Sequence, residues 1–377
     1  MSQHFDAAVV GAGIVGLAHA YHLAASGKKV VVFERNPRAV GASIRNFGML
    51  WPIGQPDGLR YRMARRSLQI WTEVLQQAGL WHLRTGSLHL AYHDDEAAVL
   101  SEFVAGPGGE EMGCSLLSTA DVLALCPAVR PEGLRAGLWS PVETCVDPRE
   151  AVAGLPGWLS AAHAVRFEFG TAVQAIDLPR VQTSRGNWSA EEVFVCSGDD
   201  FQTLYPSAFA GSGLARCKLQ MMRTAPYAGG WRLGPMLAAG LTLRHYPAFA
   251  ACPSLSTVIT RFFAEMPEYD RYGIHVLVSQ NGQGELILGD SHEYADEIDP
   301  FNKQEIDDLI LRYLATFLQP PEWRIAARWQ GVYCKHPREP WFIAHPAENV
   351  TVVTGLGGAG MTLSFGLAER VVLGVER

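Results

Sequence analysis

The period of the apolar positions changes repeatedly along the chain, and each change marks an element. Residues 5–10, Phe5-Asp6-Ala7-Ala8-Val9-Val10, form a short β-prone run with little alternation, which predicts a strand buried on both faces. A glycine-rich turn follows, and then Ala18, Ala20, Leu23 and Ala24 recur at helical spacing. A second apolar run covers 29–33 and ends at Glu34. Residues 59–80 place Met63, Ala64, Leu68, Trp71, Leu75 and Ala78 on one face of an amphipathic helix that Gly79 should end. Shorter helices are predicted over 96–104 and 118–125. Another begins at Asp147-Pro148-Arg149-Glu150, which supplies an N-cap, a proline at the first helical position and an early acid. Residues 87–92, 165–169, 172–178 and 192–196 read as strands, and 41–52 and 106–109 as loops.

From Cys217 to Glu293 the pattern is alternating and β-rich, including 241–246 and 274–280, with Gly282-Gln283-Gly284 turning the chain into 286–289. Residues 300–318 carry Ile306, Leu309, Ile310, Tyr313, Leu314 and Phe317 on one helical face. The chain closes with the strand Val350–Thr354, a second glycine-rich turn and a last helix. Strands alternating with helices at one level and a β-rich insert at another predict an α/β protein. The strand over 192–196 should return to the first domain, and the length allows a second.

The first glycine turn carries the strongest chemistry. In Gly11-Ala12-Gly13-Ile14-Val15-Gly16, Gly11 permits the tight turn and Gly13 lets a pyrophosphate approach the backbone. Gly16 lets the helix lie near the strand, so that its N-terminal N–H groups face the phosphates. Glu34 follows 18 residues after Gly16, where this unit places a carboxylate on an adenosine ribose. Strand, turn, helix, strand and acid in that order predict a dinucleotide site; FAD and NAD both suit Glu34, and Arg35 beside it could meet a 2′-phosphate. Ser197-Gly198, closing the strand over 192–196, should touch the nucleotide at the carboxyl edge of the sheet.

Composition narrows the class. The 377 residues are 48% apolar and 18% charged with a formal charge of −7, so a sizeable core is available and a nucleic-acid surface is not expected. Seven cysteines without a C-x-x-C pair suggest free thiols, and no apolar run is long enough to span a membrane. Together with an N-terminus whose glycines belong to the nucleotide turn, this leads to the expectation of a soluble cytoplasmic protein without a metal site.

Gly355-Leu356-Gly357-Gly358-Ala359-Gly360 repeats the glycine expression, but only 17 residues follow Gly360. That is room for one helix and not for a second strand or a ribose acid. The turn still presents N–H groups and a positive helix end, which would suit the edge of a flavin that gains negative charge on reduction; tight helix–sheet packing is the plain alternative.

These motifs, together with Gly41-Ala42-Ser43-Ile44-Arg45-Asn46-Phe47-Gly48-Met49-Leu50 and the closing Thr354 to Thr362 segment, resemble the glycine oxidase, sarcosine oxidase and D-amino-acid oxidase superfamily. The resemblance runs the length of the chain and implies an α/β fold with a discontinuous Rossmann-like FAD-binding domain (1–82, 145–215 and 325–377) and an α+β substrate domain on a mixed, mainly antiparallel sheet (83–144 and 216–324). It implies FAD, with Gly11, Gly13, Ile14, Val15, Gly16, Glu34 and Arg35 at the ADP half and Val173 on the adenine side. Ala42, Ser43, Arg45, Asn46, Phe47, Gly48, Met49 and Leu50 would lie along the isoalloxazine. Gly357, Gly358, Ala359, Gly360, Met361 and Thr362 would meet its pyrimidine edge.

The resemblance also implies oxidation of an amine C–N bond by hydride transfer to flavin N5, imine hydrolysis, and reoxidation by dioxygen or another acceptor. Two positions depart from it. Gly331 stands where sarcosine oxidases carry the cysteine that tethers flavin, which implies non-covalent FAD with Cys334 nearby. Tyr333 stands where glycine and D-amino-acid oxidases carry the carboxylate-binding arginine. The Arg45-to-Met49 loop and Leu243-Arg244-His245-Tyr246 are similar to a subgroup associated with aminophosphonate catabolism. The expected substrate is therefore a small amine with an anionic group: an amino acid, an N-methyl amino acid or an aminophosphonate. Candidate pocket residues are Arg45, Arg244, His245, Tyr246, His275, Gln280, His292, Tyr333, Lys335 and His336, with no acid or base assigned. A 2-hydroxy acid oxidase and a flavin-binding subunit of a larger enzyme are the alternatives.

Overall fold

The computed structural model describes residues 4–376. An eight-stranded sheet holds the first glycine turn. His4–Val10 sits in its middle, parallel to Val30–Glu34 on one side and to Gly186–Val195 on the other. Arg166–Phe169 continues the parallel set beyond Val30–Glu34, and Val350–Thr354 pairs with the end of Gly186–Val195. The unbroken hydrophobicity of these strands has a physical cause, because both faces are covered. Ala7, Val9, Val30 and Val32 enter the core under the helices, whereas Phe5, Ala8, Val31 and Phe33 enter a second core on the other face.

Four helices cover the first face, Pro148–His163 among them. Ile14–Ala25, Leu59–Ala78 and Gly360–Val372 pack together, with Trp71 fully buried and its indole N–H donating to the Met361 carbonyl at 2.8 Å. Gly79 caps Leu59–Ala78 in the left-handed conformation at φ 66°. Asp147 caps Pro148–His163 by accepting from the Arg149 N–H at 2.9 Å.

The second domain is a nine-stranded mixed sheet in which neighbours are antiparallel except for Met236–Ala238 beside Ser87–Ala91. Its core includes the predicted face of the helix Gln304–Phe317, from Ile306 to Phe317. Ile325–Lys335, grouped with the nucleotide side on sequence, pairs along its length with Ala215–Thr224 in this second sheet. It runs from there to the second glycine turn.

Three regions differ from the sequence expectation. The stretch 241–246 is not a strand: Gly240–Leu243 is a helical turn, held where the Leu241 N–H donates to the Tyr313 hydroxyl at 3.0 Å and Thr242 donates to the Val276 carbonyl at 3.1 Å. Alternating Leu241 and Leu243 are both buried in the same core, so tertiary burial imitates a strand pattern. The glycine-rich loop at 106–109 is instead the start of the helix Pro107–Met112, with Pro107 in its first turn and Gly113 left-handed after it. The β-rich region also contains the helices Leu255–Glu265 and Pro267–Arg271.

Candidate active site

A cleft of about 820 Å³ begins at the first glycine turn, passes the second and ends against the antiparallel sheet. That volume lies within the range of cofactor and ligand sites. Gly11, Gly13, Ile14, Val15, Glu34, Arg35 and Val173 line its nucleotide end, with Ser197 and Gly198. Glu34 is buried there; one carboxylate oxygen accepts from the Ala12 N–H at 3.0 Å and the other from the Asn36 N–H at 3.0 Å. Arg35 pairs with Asp200 at 2.7 Å, and Asp199 also lines this end, so a 2′-phosphate would meet three carboxylates and one already neutralised guanidinium.

Gly16 is behind the cleft rather than on its wall. A Cβ there would sit 1.9 Å from the Gly11 carbonyl oxygen, so only glycine allows the helix to approach the strand. The Ser43 hydroxyl accepts from the Ile14 N–H at 2.9 Å, tying the following loop to the start of the helix. The fit to a dinucleotide is therefore built into the backbone: open N–H groups, close helix–strand contact and a carboxylate beyond them.

Ala42, Ser43, Arg45, Asn46 and Phe47 line the middle of the cleft. Asn46 holds that loop, donating to the Ala42 and Ser43 carbonyls and accepting from the Gly48 N–H at 2.8 Å. Gly48, Met49 and Leu50 are not on the wall: Met49–Leu50 is a buried strand paired with Thr144–Val146. Gly357, Gly358, Ala359, Gly360 and Met361 do line the cleft, whereas Thr362 turns away and accepts from the Trp51 N–H at 3.0 Å. Cys334 is buried beside them with its thiol 2.9 Å from the Thr354 hydroxyl, and burial raises its pKa.

The far wall brings together Arg244, His245, Tyr246, His275, His292, Tyr333, Lys335 and His336 from four separate stretches of chain. Gln280 does not join them; its amide accepts from the Leu233 N–H at 2.8 Å and donates to the Gly284 carbonyl at 3.1 Å, inside the hairpin. Asp290, Leu219 and Met221 complete the wall and were not anticipated. The Gly289-Asp290-Ser291-His292 run, an acid two residues from a candidate histidine, was the available signal for Asp290.

His275 Nε2 lies 3.2 Å from one Asp290 oxygen, and His292 Nε2 lies 3.9 Å from the other. Burial lowers His245 and His275 well below the usual imidazole range, lowers His292 to about 4, and raises Asp290 well above the usual carboxylate range. Burial also pushes the Tyr333 phenol up. Arg244 is paired with Asp270 at 2.9 Å, and Arg45 donates to the Gln330 carbonyl at 3.1 Å. Lys335 makes no ion pair among the described residues and lines the cleft beside Gly357.

Residues 6–372 match the profile of the family described as FAD dependent oxidoreductase. The chain belongs to that family. Within it, the chain is 24% identical over 214 residues to a glycine oxidase of Geobacillus kaustophilus, a match that spans 52% of this chain and about half (55%) of that relative. It is 23% identical to a monomeric sarcosine oxidase of Bacillus sp. over 98% of this chain and 91% of the relative. The crystal structure of glycine oxidase from Bacillus cereus superposes with a TM-score of 0.78 at 17% identity, covering 99% of this chain and 96% of that one. L-proline dehydrogenase from P. horikoshii superposes at 0.76 and 19% identity, covering 99% and 95%. These likenesses share the fold.

No helix among the described residues is long and apolar enough to cross a membrane.

Proposed function

We propose that this member of the family oxidises the C–N bond of a small amine that carries an anionic group, and that it holds FAD non-covalently. Lys335 carries this reading: it lines the cleft beside the second glycine turn, its ammonium lies 5.8 Å from the Tyr294 ring centroid, and it makes no ion pair among the described residues. The similarity to glycine and sarcosine oxidases supports the amine.

FAD supplies the hydride acceptor when bound. The chain's own residues supply placement. Gly11, Gly13 and Glu34 would hold the ADP half of FAD, and the loop from Ala42 to Phe47 and the turn from Gly357 to Gly360, which line the cleft, would hold its ring system. Leu219 and Met221, buried apolar residues of the cleft lining, would help keep water from the reacting carbon. Lys335 takes the anionic group and so fixes which carbon faces the flavin. Tyr333, where a carboxylate-binding arginine would stand in glycine oxidases, leaves the anion to Lys335, and an aminophosphonate suits that arrangement as well as an amino acid does.

Anaerobic mixing of the yellow holoprotein with glycine, sarcosine, D-amino acids and free or N-methylated aminoalkylphosphonates tests the proposal. Bleaching of the flavin by at least one of these amines is expected. Bleaching by no amine would overturn the reading, and bleaching by 2-hydroxy acids alone would move the reaction to a C–O bond. Flavin should appear in the supernatant after denaturation; flavin left on the precipitated chain would show a covalent link.

A further inference from the structure

We propose that His245, His275 and His292, with Asp290, form a binding site for a first-row divalent cation at the end of the cleft. Each histidine offers one ring nitrogen, and the three nitrogens lie within 4.8 Å of one another. Metal–nitrogen bonds of about 2.1 Å need these atoms somewhat closer, a change that small rotations of the rings can make. The three histidines come from different segments, the turn after Gly240–Leu243 and the two chain segments flanking the hairpin of Leu277–Gln280 and Leu286–Gly289, so their convergence is a tertiary feature.

The surroundings point to a missing ligand. His275 Nδ1 is buried without a hydrogen-bond partner, and Asp290 Oδ1, 3.2 Å from His275 Nε2, is buried without a well-aligned hydrogen bond. Such orphaned atoms are costly unless something fills the site. His292 is already oriented as a metal ligand would be: its Nδ1 lies 3.0 Å from the Gly273 carbonyl, which can only accept, leaving Nε2 as a lone pair facing Asp290. The Asp290 backbone N–H donates to the His275 carbonyl at 2.9 Å, fixing the carboxylate beside that ring. His245 and His275 stack with centroids 3.7 Å apart, a distance at which two imidazolium charges would repel strongly.

Two cations face the cluster. Arg244 is neutralised by Asp270, and Lys335 is not. Three imidazoles and one carboxylate suit zinc, cobalt or iron, with coordination positions left towards the cleft. There the ion would meet the anionic group of the substrate together with Lys335, a role that rests on the function proposed above. The site itself does not.

The test uses the full FAD-loaded chain, stripped with a chelator and dialysed against zinc, with retained metal measured by mass spectrometry. About one zinc per chain is expected, and His275→Ala and His292→Gln should each weaken retention about tenfold or more. Glu191→Gln, in an exposed group with His4 and Asp6 at the protein surface, should leave it unchanged. Absent retention, or retention unaltered in both histidine variants, would overturn the site. Anomalous scattering at the zinc edge from crystals of the unaltered protein needs no variant to fold: a peak among the three imidazoles supports the proposal, and a peak only at His4 and Glu191 defeats it. Amine bleaching reports separately on the proposed reaction, so zinc retention without bleaching removes that reaction and leaves the site.

Discussion

The two glycine turns have the same sequence expression and different reasons for their glycines. In the first, a Cβ at Gly11 would lie 2.5 Å from the Cys196 carbonyl oxygen, and one at Gly16 would lie 1.9 Å from the Gly11 oxygen. Both are close approaches of backbone to backbone, and neither can relax. In the second, Gly360 has open space around its Cβ position and ordinary helical angles, φ −54° and ψ −45°. Gly357 instead faces the Lys335 stem, 3.2 Å away, and Gly358 the Tyr333 hydroxyl, 3.7 Å away. The first turn is specified by close backbone contacts, one within its own βαβ unit and one with Cys196 just past the strand Gly186–Val195. The second is specified by a strand that arrives from the other domain.

That contrast can be broken experimentally. Gly16→Val should cost about 3 kcal/mol or more, because backbone cannot yield as a side chain does, and the purified chain should lose flavin or fail to fold; a yellow protein with an unchanged melting temperature would remove the close-packing argument. Lys335→Met keeps the stem against Gly357 but removes the charge. It should raise KM for an anionic amine about tenfold to hundredfold and leave a neutral amine nearly unaffected. Equal loss for both amines would mean that Lys335 shapes the turn rather than holding an anion.

The junction between the domains should respond to acid. Arg149 joins Asp147 at 2.8 Å to Glu285 at 2.9 Å, and Arg223 meets Glu285 at 2.6 Å. Burial would raise both carboxyls, but the Arg149 pair at Asp147, and the Asn281, Arg223 and Arg149 hydrogen bonds at Glu285, outweigh it and hold both pKa values below 3.8 and 4.5 respectively. An acid lowered on folding stabilises the fold above its unfolded pKa and loses that contribution as pH falls through the folded value. Thermal melts should therefore show a drop below about pH 4. Glu285→Gln should cost about 1–2 kcal/mol at pH 7, reduced by the partial exposure of its arginines, and should flatten the acid response. The smallest effect is opposite in sign. Gly360→Ala should stabilise the chain by about 0.5–1 kcal/mol, read as a higher melting temperature, since the added methyl meets nothing. Destabilisation there would restore the third glycine to a packing role.

The nucleotide end was legible in sequence because its defining relations are local, the approach of Gly11 to Cys196 being the long-range exception. A buried strand, a turn needing three glycines, a helix and an acid 18 residues later all lie within Phe5 to Glu34, and neighbouring β-strand and helix faces fix their geometry. The helix faces of Leu59–Ala78 and Gln304–Phe317 were legible for the same reason: their period is written in the chain.

The substrate wall was only partly legible. The residue types at 244–246, 275, 292, 333 and 335 suggested a polar site, but no spacing in the sequence says that Asp290 lies 3.2 Å from His275 or that Gln280 turns into its own hairpin. Gly48, Met49, Leu50 and Thr362 follow cleft residues in sequence yet fold behind them, because a strand and a helix each alternate which side chains reach a given face. The sequence by itself determined one nucleotide-binding unit and the family. Only the tertiary structure decided that Ile325–Lys335 belongs to the antiparallel sheet and carries Tyr333 and Lys335 to the second glycine turn. Strand pairing between segments about a hundred residues apart is settled by burial of the whole core, which no local pattern encodes.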